Sequence, residues 1–553
     1  MKRKYVSCAL AAVMAASICL SGCGNENAAT NQSTESSKAT ESKQAEKTEE
    51  SKASEEQQAE LEEKTIQMWL CGSKQQDSEK VWNAFNEMLQ EYVPNTTVEF
   101  SIFDYSEYKE KFSQMLATGE GVDVAWAANW VTGSFQDLIV DESLMPLNDL
   151  LAEYGQDITE VLTPEIVEFH RKADGELYYL VSWQGLAGNM HGLCVTTELA
   201  ELAGETWVED TAAALDKYWN ENGTVEDQQA VFDQTDKYLA AAKEAGKLGA
   251  GLDFVTYLGW YYGSNRAASL PSAQGVGVRN GDNTFTVEDI IANDYFKNFC
   301  RNMAAFYQKG YIRSDVASVD TNTLHQIQDG VIDENTFVLT MHDAFGNFRE
   351  EDLTKKWGVD AKVIPVERTV SLANGEATTT VIPYCADEPE RAMMVMNAIY
   401  SVPELYQTLC WGIEGEHWTD NGDGTVNYTG GGNGSDAVYG YDNWKIGSCI
   451  NGLTTQTMVP GYYEDMRKIE ADAYISPFKN FQFDRTGLED VIVALQAVDT
   501  EYGKQVMYGY RDDWEDVLAK YISERKEAGV DKLIEAYQEQ LNAYIAENNI
   551  TSF

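Results

Sequence analysis

The sequence predicts an α/β fold arranged as two large lobes. Two observations carry that expectation. Strand and helix signals alternate between residues 66 and 127, and the body from Thr65 to Phe553 is too long for one hydrophobic core. A third sets where the body begins: residues 24–64 contain no aromatic side chain and a single Leu, too little apolar surface to offset the entropy of ordering.

The elements follow in order. Residues 66–71 read as a buried strand, and Val81, Trp82, Phe85, Met88, Leu89 and Tyr92 then recur at helical spacing until Pro94. A strand at 97–103, a helix at 105–118 stopped by Gly119 and a strand at 122–127 complete a series that implies a parallel sheet with right-handed crossovers. Further strands are expected near 177–181 and 192–197, a long helical region at 211–247, and an aromatic cluster of Tyr257, Trp260, Tyr261 and Tyr262. Tyr295, Phe296, Phe299, Cys300, Met303, Phe306 and Tyr307 form one helix face closed by Gly310. A strand at 337–341 leads into the polar turn 342–347, and Asp387 is the expected N-cap of the next helix. Another helix starts at Ser401 and Pro403 and ends near Gly412, and Val530, Leu533, Ile534, Tyr537, Leu541, Tyr544 and Ile545 predict a docked amphipathic helix at the C-terminus.

Residues 1–22 read as an export leader. Lys2, Arg3 and Lys4 precede an apolar run too short for a comfortable span, and Leu20-Ser21-Gly22-Cys23 places a thiol between small neighbours, as lipid attachment at Cys23 requires. Residues 23–64 then form a solvated tether, with coil ends about 35 Å apart. The expected location is the extracellular face of the cell membrane, with the polypeptide held by its lipid.

Charge and cysteine usage exclude several classes. A formal net charge of -49 leaves no basic stripe for phosphates, so nucleic acid is not an expected partner. Cys71, Cys194, Cys300, Cys385, Cys410 and Cys449 are spread thinly with no CxxC pair; buried free thiols are expected, although an even number permits disulfides. His170, His191, His325, His342 and His417 lack metal-ligand spacing, so no metal is expected, and none of the GxSxG, Walker or GxGxxG motifs appears. Residues 420–424 superficially resemble a calcium loop, but Gly422 breaks the required alternation and a tight hairpin turn explains them better. Glu414 and Glu416 invite a glycosidase reading, yet their i, i+2 spacing does not establish two carboxyls straddling a bond.

The lipobox, the acidic tether, the opening strands and helices, Gly121-Val122-Asp123-Val124-Ala125-Trp126 and Leu177-Tyr178-Tyr179-Leu180-Val181 together resemble a family 1 extracellular solute-binding protein of a carbohydrate ABC importer. Trp411-Gly412-Ile413-Glu414-Gly415-Glu416-His417-Trp418 is similar to a stretch of one Gram-positive lipoprotein subgroup. Ile475-Ser476-Pro477-Phe478 and Ala528-Gly529-Val530-Asp531-Lys532 resemble that subgroup's C-terminal domain of unknown function. The resemblance implies a type 2 periplasmic-binding-protein-like fold, with residues 65–188 and 374–440 in one lobe, 189–373 and 441–553 in the other, and a ligand cleft at the hinge. It also implies a monomer that delivers an oligosaccharide to membrane permease subunits, with no cofactor and no catalytic residue. A surface-tethered carbohydrate-active enzyme is the alternative, and a lipoprotein sensor feeding a membrane kinase a third reading.

Sugars present C–H faces edged by hydroxyls, which calls for flat aromatic platforms and for amides or carboxylates beside them. In parallel sheets such groups belong beyond the carboxyl ends of the strands. Asn129 and Trp130 fall just past the third strand, as ligand contacts or as a structural loop, and Trp126 is a lesser ligand candidate because it ends inside the sheet. Lys74 lies past the first strand, free either to bond hydroxyls or to stay solvated. Trp183 and Gln184 sit where the chain begins to cross between lobes, with Trp260, Tyr261, Asp343 and Asn347 facing them from the second lobe and Trp444 a further candidate.

Overall fold

A computed structural model describes residues 61–186, 191–248, 270, 274–318, 340–343, 350–366, 371–372, 375–429 and 438–553. The leader, Cys23 and the tether up to residue 60 lie outside the described residues, as do Tyr257, Trp260, Tyr261, Tyr262 and Asn347.

The opening alternation forms as its pattern dictates. β1 (Lys64–Cys71) is a near-continuous apolar run because both of its faces are covered. α1 (Ser78–Leu89) buries Val81, Trp82, Phe85 and Leu89 at helical spacing and ends before Pro94. β2 (Thr96–Phe103) and β3 (Val124–Ala127) both pair parallel with β1, on opposite sides of it. Between them α2 (Tyr105–Thr118) stops at Gly119, whose φ of 70° is left-handed and suits glycine. Four short helices follow, α3 (Phe135–Val140), α4 (Asn148–Tyr154), α5 (Gln156–Leu162) and α6 (Pro164–His170), leading to β4 (Leu180–Val181).

The chain then builds a second lobe. β5 (His191–Thr196) is the middle of an antiparallel sheet with β8 (Thr340–Asp343) and β9 (Ala361–Pro365), in the order β8-β5-β9. After α7 (Thr197–Ala203), the expected long helical region 211–247 forms as two helices, α8 (Trp207–Asn220) and α9 (Val225–Glu244). The break has a local cause: Thr224 and Asp227 form a reciprocal capping box that starts α9, and a Cβ at Gly223 would overlap the Tyr218 backbone. β6 (Val276–Val278) and β7 (Val287–Asp289) make a hairpin, and α10 (Asp294–Gln308) supplies the apolar face read from Tyr295 to Phe306. Its Phe296, Phe299, Met303 and Phe306 pack with Trp207, Tyr218, Phe232 and Tyr238 in the core of this lobe.

After α11 (Glu350–Trp357) the chain returns through β10 (Thr379–Val381), which inserts antiparallel between β3 and β4 to give the order β2-β1-β3-β10-β4. α12 (Pro389–Ser401) and α13 (Pro403–Trp411) then cover the first lobe. Asp387 is not the cap of α12. The Asp123 carboxylate takes the N–H groups of Asp387 and Glu388, at 3.0 and 2.8 Å, and Glu388 occupies the cap position. β11 (Trp418–Asp420) and β12 (Val426–Tyr428) form the expected tight hairpin around residues 421–425.

The chain then packs back onto α12 and α13. Tyr441 N donates to Cys410 O, Tyr406 Oη to Asn443 O and Asn451 Nδ2 to Tyr400 O, so the stretch through Asn451 is bonded to α12 and α13. α14 (Tyr462–Ala471) follows, then α15 (Glu489–Met507), α16 (Trp514–Glu527) and α17 (Val530–Asn548). α15 and α17 contribute to a second core, in which Phe478, Phe481, Leu495, Leu533, Tyr537 and Leu541 pack on Val276, Val278 and Val287 of the β6-β7 hairpin. Among the described residues the six cysteines are free thiols, five of them buried and Cys385 partly so. Among the described residues no helix is long and apolar enough to cross a membrane.

Candidate ligand site

β1 is the strand at which the order of the parallel sheet reverses, with β2 to one side and β3 to the other. A crevice opens beyond the carboxyl ends of strands at such a point. Four aromatic side chains gather there from separate segments: Tyr105 at the start of α2, Trp126 on β3, Trp130 in the loop after it, and Trp444.

Trp126 is the buried centre, with Trp130, Tyr105 and Trp444 ring centroids 5.9, 6.3 and 6.5 Å away and all edge-on to it. Its Nε1 donates to Thr378 Oγ1 at 3.1 Å, and Thr378 Oγ1 donates to Trp444 O at 3.1 Å. Trp130 lies outside this centre, 56% exposed, with its ring 5.5 Å from that of Tyr105 and tilted 36° to it. Its Nε1 donates to Ala377 O at 2.8 Å, so the indole is fixed in orientation while its surface stays in water. An oriented, half-exposed indole beside a tyrosine is a ready ledge for the apolar face of a pyranose ring. Polar groups flank it: Asn129 is exposed, and Asp104 accepts a hydrogen bond from Ser73 Oγ at the matching end of β1. Burial pushes the Tyr105 hydroxyl far above its usual range and the Cys71 thiol up to about 12.

Beneath the ledge lies Lys445, whose side chain has no exposed surface. Its Nζ donates to Cys71 O at 2.8 Å and sits 2.9 Å from Asp442 Oδ2, with the rings of Tyr105 and Trp444 at 4.4 and 5.1 Å.

The other sequence candidates fall elsewhere. Lys74 turns along α1, its Nζ paired with Glu79 and 5.6 Å from the Trp82 ring, away from the ledge. Trp183 is a correction: its side chain has no exposed surface and works in the interlobe crossing. Its Nε1 donates to Glu470 Oε2 at 2.9 Å, and the Arg467 guanidinium stacks 4.3 Å from its ring. Glu470 also accepts the Leu186 N–H, so one carboxylate of α14 holds both Trp183 and Leu186. Gln184 is half-buried next to Trp183. Asp343 ends β8 in register with His191, which places it at the end of the second-lobe sheet where the crossing chain enters. Glu416 pairs with Lys80 of α1, and His417 is buried and accepts the Ile413 N–H, so the loop is anchored by His417 while Glu414 and Glu416 themselves stay exposed. Among the described residues no group of three or more His, Cys, Asp or Glu side chains is disposed to hold a metal ion.

Burial raises the folded-state pKa of Glu470 above its ordinary value, outweighing the bonds from Leu186 and Trp183. Over the window between the two values the folded protein holds more protons than the unfolded chain, so this group's contribution to stability falls as pH rises through it. The wild-type advantage in Tm over Glu470→Gln is therefore expected to be largest near pH 4 and to shrink toward pH 7. A difference that grows with pH would contradict this account of the crossing.

Sequence reasoning missed Tyr105, Asp104, Thr378, Asp442 and Lys445. Tyr105 and Asp104 were within reach, because they follow β2 as Trp130 follows β3. Lys445 carried only the weak signal of a lone cation at the end of an aromatic stretch.

Two α/β lobes, a reversed strand order at the cleft and a chain that crosses between lobes repeatedly define the fold of the extracellular solute-binding proteins. Solved structures agree. The chain superposes on the N-glycan transport solute binding protein NgtS of Streptococcus pneumoniae with a TM-score of 0.67 at 18% identity, over 87% of this chain and 99% of that one. The same protein in complex with Man5GlcNAc gives 0.62 at 18% identity over the same shares. A curated carbohydrate ABC transporter substrate-binding protein of S. pneumoniae serotype 4 is 20% identical over 498 residues, 88% of this chain and 91% of that relative. Residues 477–546 match DUF3502, a domain of unknown function, as the Ile-Ser-Pro-Phe and Ala-Gly-Val-Asp-Lys elements led us to expect. These relatives are binding proteins.

Proposed function

We propose that this chain is the extracellular substrate-binding component of a carbohydrate ABC importer, with an oligosaccharide as its ligand. It is monomeric, held to the outer face of the membrane through a lipid on Cys23, and it hands its ligand to permease subunits. The observation that carries this reading is the fixed, exposed Trp130 indole beside Tyr105 at the reversal point of the sheet. Trp126, Asn129 and Trp444 are assigned to the same wall as Trp130, Gln184 to the crossing beside it, and Asp343, Trp260, Tyr261 and Asn347 to the opposite side of the cleft. The relatives' transport of carbohydrate, and of N-glycans in particular, supports the substrate class.

Closure would follow from differential affinity: a glycan held by both lobes stabilises the closed form over the open one. The test is thermal denaturation with a panel of neutral oligosaccharides that includes Man5GlcNAc. A ligand at about 100 times its Kd adds about 2.7 kcal/mol of stability, so a clear rise in Tm is expected for at least one glycan. A flat response across the panel would overturn the reading. Product analysis after incubation separates it from the enzyme alternative: the glycan should be recovered intact, and released sugar would favour catalysis.

A further inference from the structure

Lys445 is an unusual occupant of the site. Burying an ammonium group costs several kcal/mol before its partners are counted, and an apolar side chain of similar length would fill the same space without that cost. Its surroundings explain what the charge does there. Four rings face Nζ: Tyr105 at 4.4 Å, Trp444 at 5.1 Å, Tyr441 at 5.7 Å and Trp126 at 5.9 Å. Two of these, Tyr105 and Trp126, are the rings against which Trp130 rests, at 5.5 and 5.9 Å.

The same side chain fastens the cage to the sheet. Nζ donates to Cys71 O, the last carbonyl of β1, and pairs with Asp442 three residues earlier in its own segment. The Lys445 carbonyl accepts from Ser182 Oγ at 2.9 Å, so the residue also touches the strand that leaves the lobe. Cation–π attraction is directional toward ring faces and strengthens when desolvated. One ammonium at the centre of four rings, anchored to a strand end, therefore fixes which way each ring turns.

We propose that Lys445 is the positioning residue of the glycan platform: without touching the ligand, it holds Tyr105, Trp126 and Trp444 in the orientation that presents Trp130 for stacking. The proposal rests on the binding function proposed above. Its direct consequence is that the aromatic wall exists in the free protein, prepared before a glycan arrives, which lowers the ordering cost of binding.

Two substitutions test it. Lys445→Met removes charge and donor at nearly constant volume, and Lys445→Gln keeps a donor for Cys71 O while removing the cation. Each is compared with wild type by near-ultraviolet circular dichroism without ligand, by Tm, and by calorimetric titration with Man5GlcNAc and with any glycan that raises wild-type Tm. The expected result is a folded variant with an altered tryptophan dichroism band and affinity reduced by about tenfold or more. A folded variant with the wild-type band and affinity within about twofold of wild type would overturn the proposal. Failure of both variants to fold would overturn it as well, because Lys445 would then be a requirement of the lobe itself. If wild type binds no glycan, the binding function fails, while the dichroism comparison still decides whether Lys445 sets the rings.

Discussion

Replacing Trp130 with alanine is expected to weaken glycan binding by about ten- to a hundredfold while leaving the melting temperature nearly unchanged. The two effects separate because of where the indole stands. More than half of its surface is already in water, so truncation removes little burial from the folded protein. Its Nε1 bond to Ala377 O sits at the exposed edge of the site, where water can replace the donor. In a complex, by contrast, the indole would lose its whole stacking face, and a central aromatic contact accounts for about 1–3 kcal/mol of binding. Trp130→Phe keeps a ring but loses the bond that orients it, so it should fall between the two. Titration calorimetry with the glycan selected by thermal shift measures the affinities, and a Trp130→Ala protein that binds like wild type would remove the ledge from the site.

The largest effect on stability is expected at Arg525 in the C-terminal domain. Its side chain has no exposed surface and its guanidinium meets Asp289 of β7, Asp499 of α15 and the Gln274 carbonyl, while Tyr521 Oη donates to Asp499 at 2.8 Å. Arg525→Met would leave two carboxylates facing each other without their cation. Breaking a buried pair in this way costs about 3–5 kcal/mol. Desolvation already raises the Asp289 pKa above its ordinary value even with the arginine in place. The loss should therefore be larger at pH 7 than at pH 5, where Asp289 can neutralise by taking a proton. Asp289→Asn added to Arg525→Met should recover part of the stability, because one uncompensated charge is gone. Urea denaturation of the three proteins at both pH values measures this, and a single variant within about 1 kcal/mol of wild type would show that the network is dispensable.

These two sites were unequally legible in the sequence. Trp130 was readable because its signals are local: an apolar strand, then Asn and Trp immediately after it. The β1-α1-β2-α2-β3 series was readable for the same reason, and the boundaries of α2 coincide with the expected ones. What stayed hidden depends on partners far along the chain. β10 enters the sheet antiparallel against β3, more than 250 residues earlier, and nothing in Thr379–Val381 announces that position. Trp183 was read as a cleft residue because it lies where the chain begins to cross between lobes, but a carboxylate 287 residues away claims its indole N–H. The cap of α12 moved by one residue because Asp123 supplies the acceptor that a local side chain usually provides. Lys445 shows the limit most clearly, since nothing in a lone lysine at the end of an aromatic stretch announces that the fold closes four rings around it.

The crossing segment at Ser182 and Trp183 has a mechanical consequence. Ser182 N donates to Thr378 O on one side, while on the other Trp183 N donates to Gly447 O and Cys449 N to Trp183 O. Three passes of the chain thus run side by side as a laminated strap. A strap of this kind resists stretching and sideways shear, because any slip of one ply breaks bonds to its neighbours, yet it flexes across its thin dimension. A hinge that begins at this strap is expected to bend about a single line rather than slide.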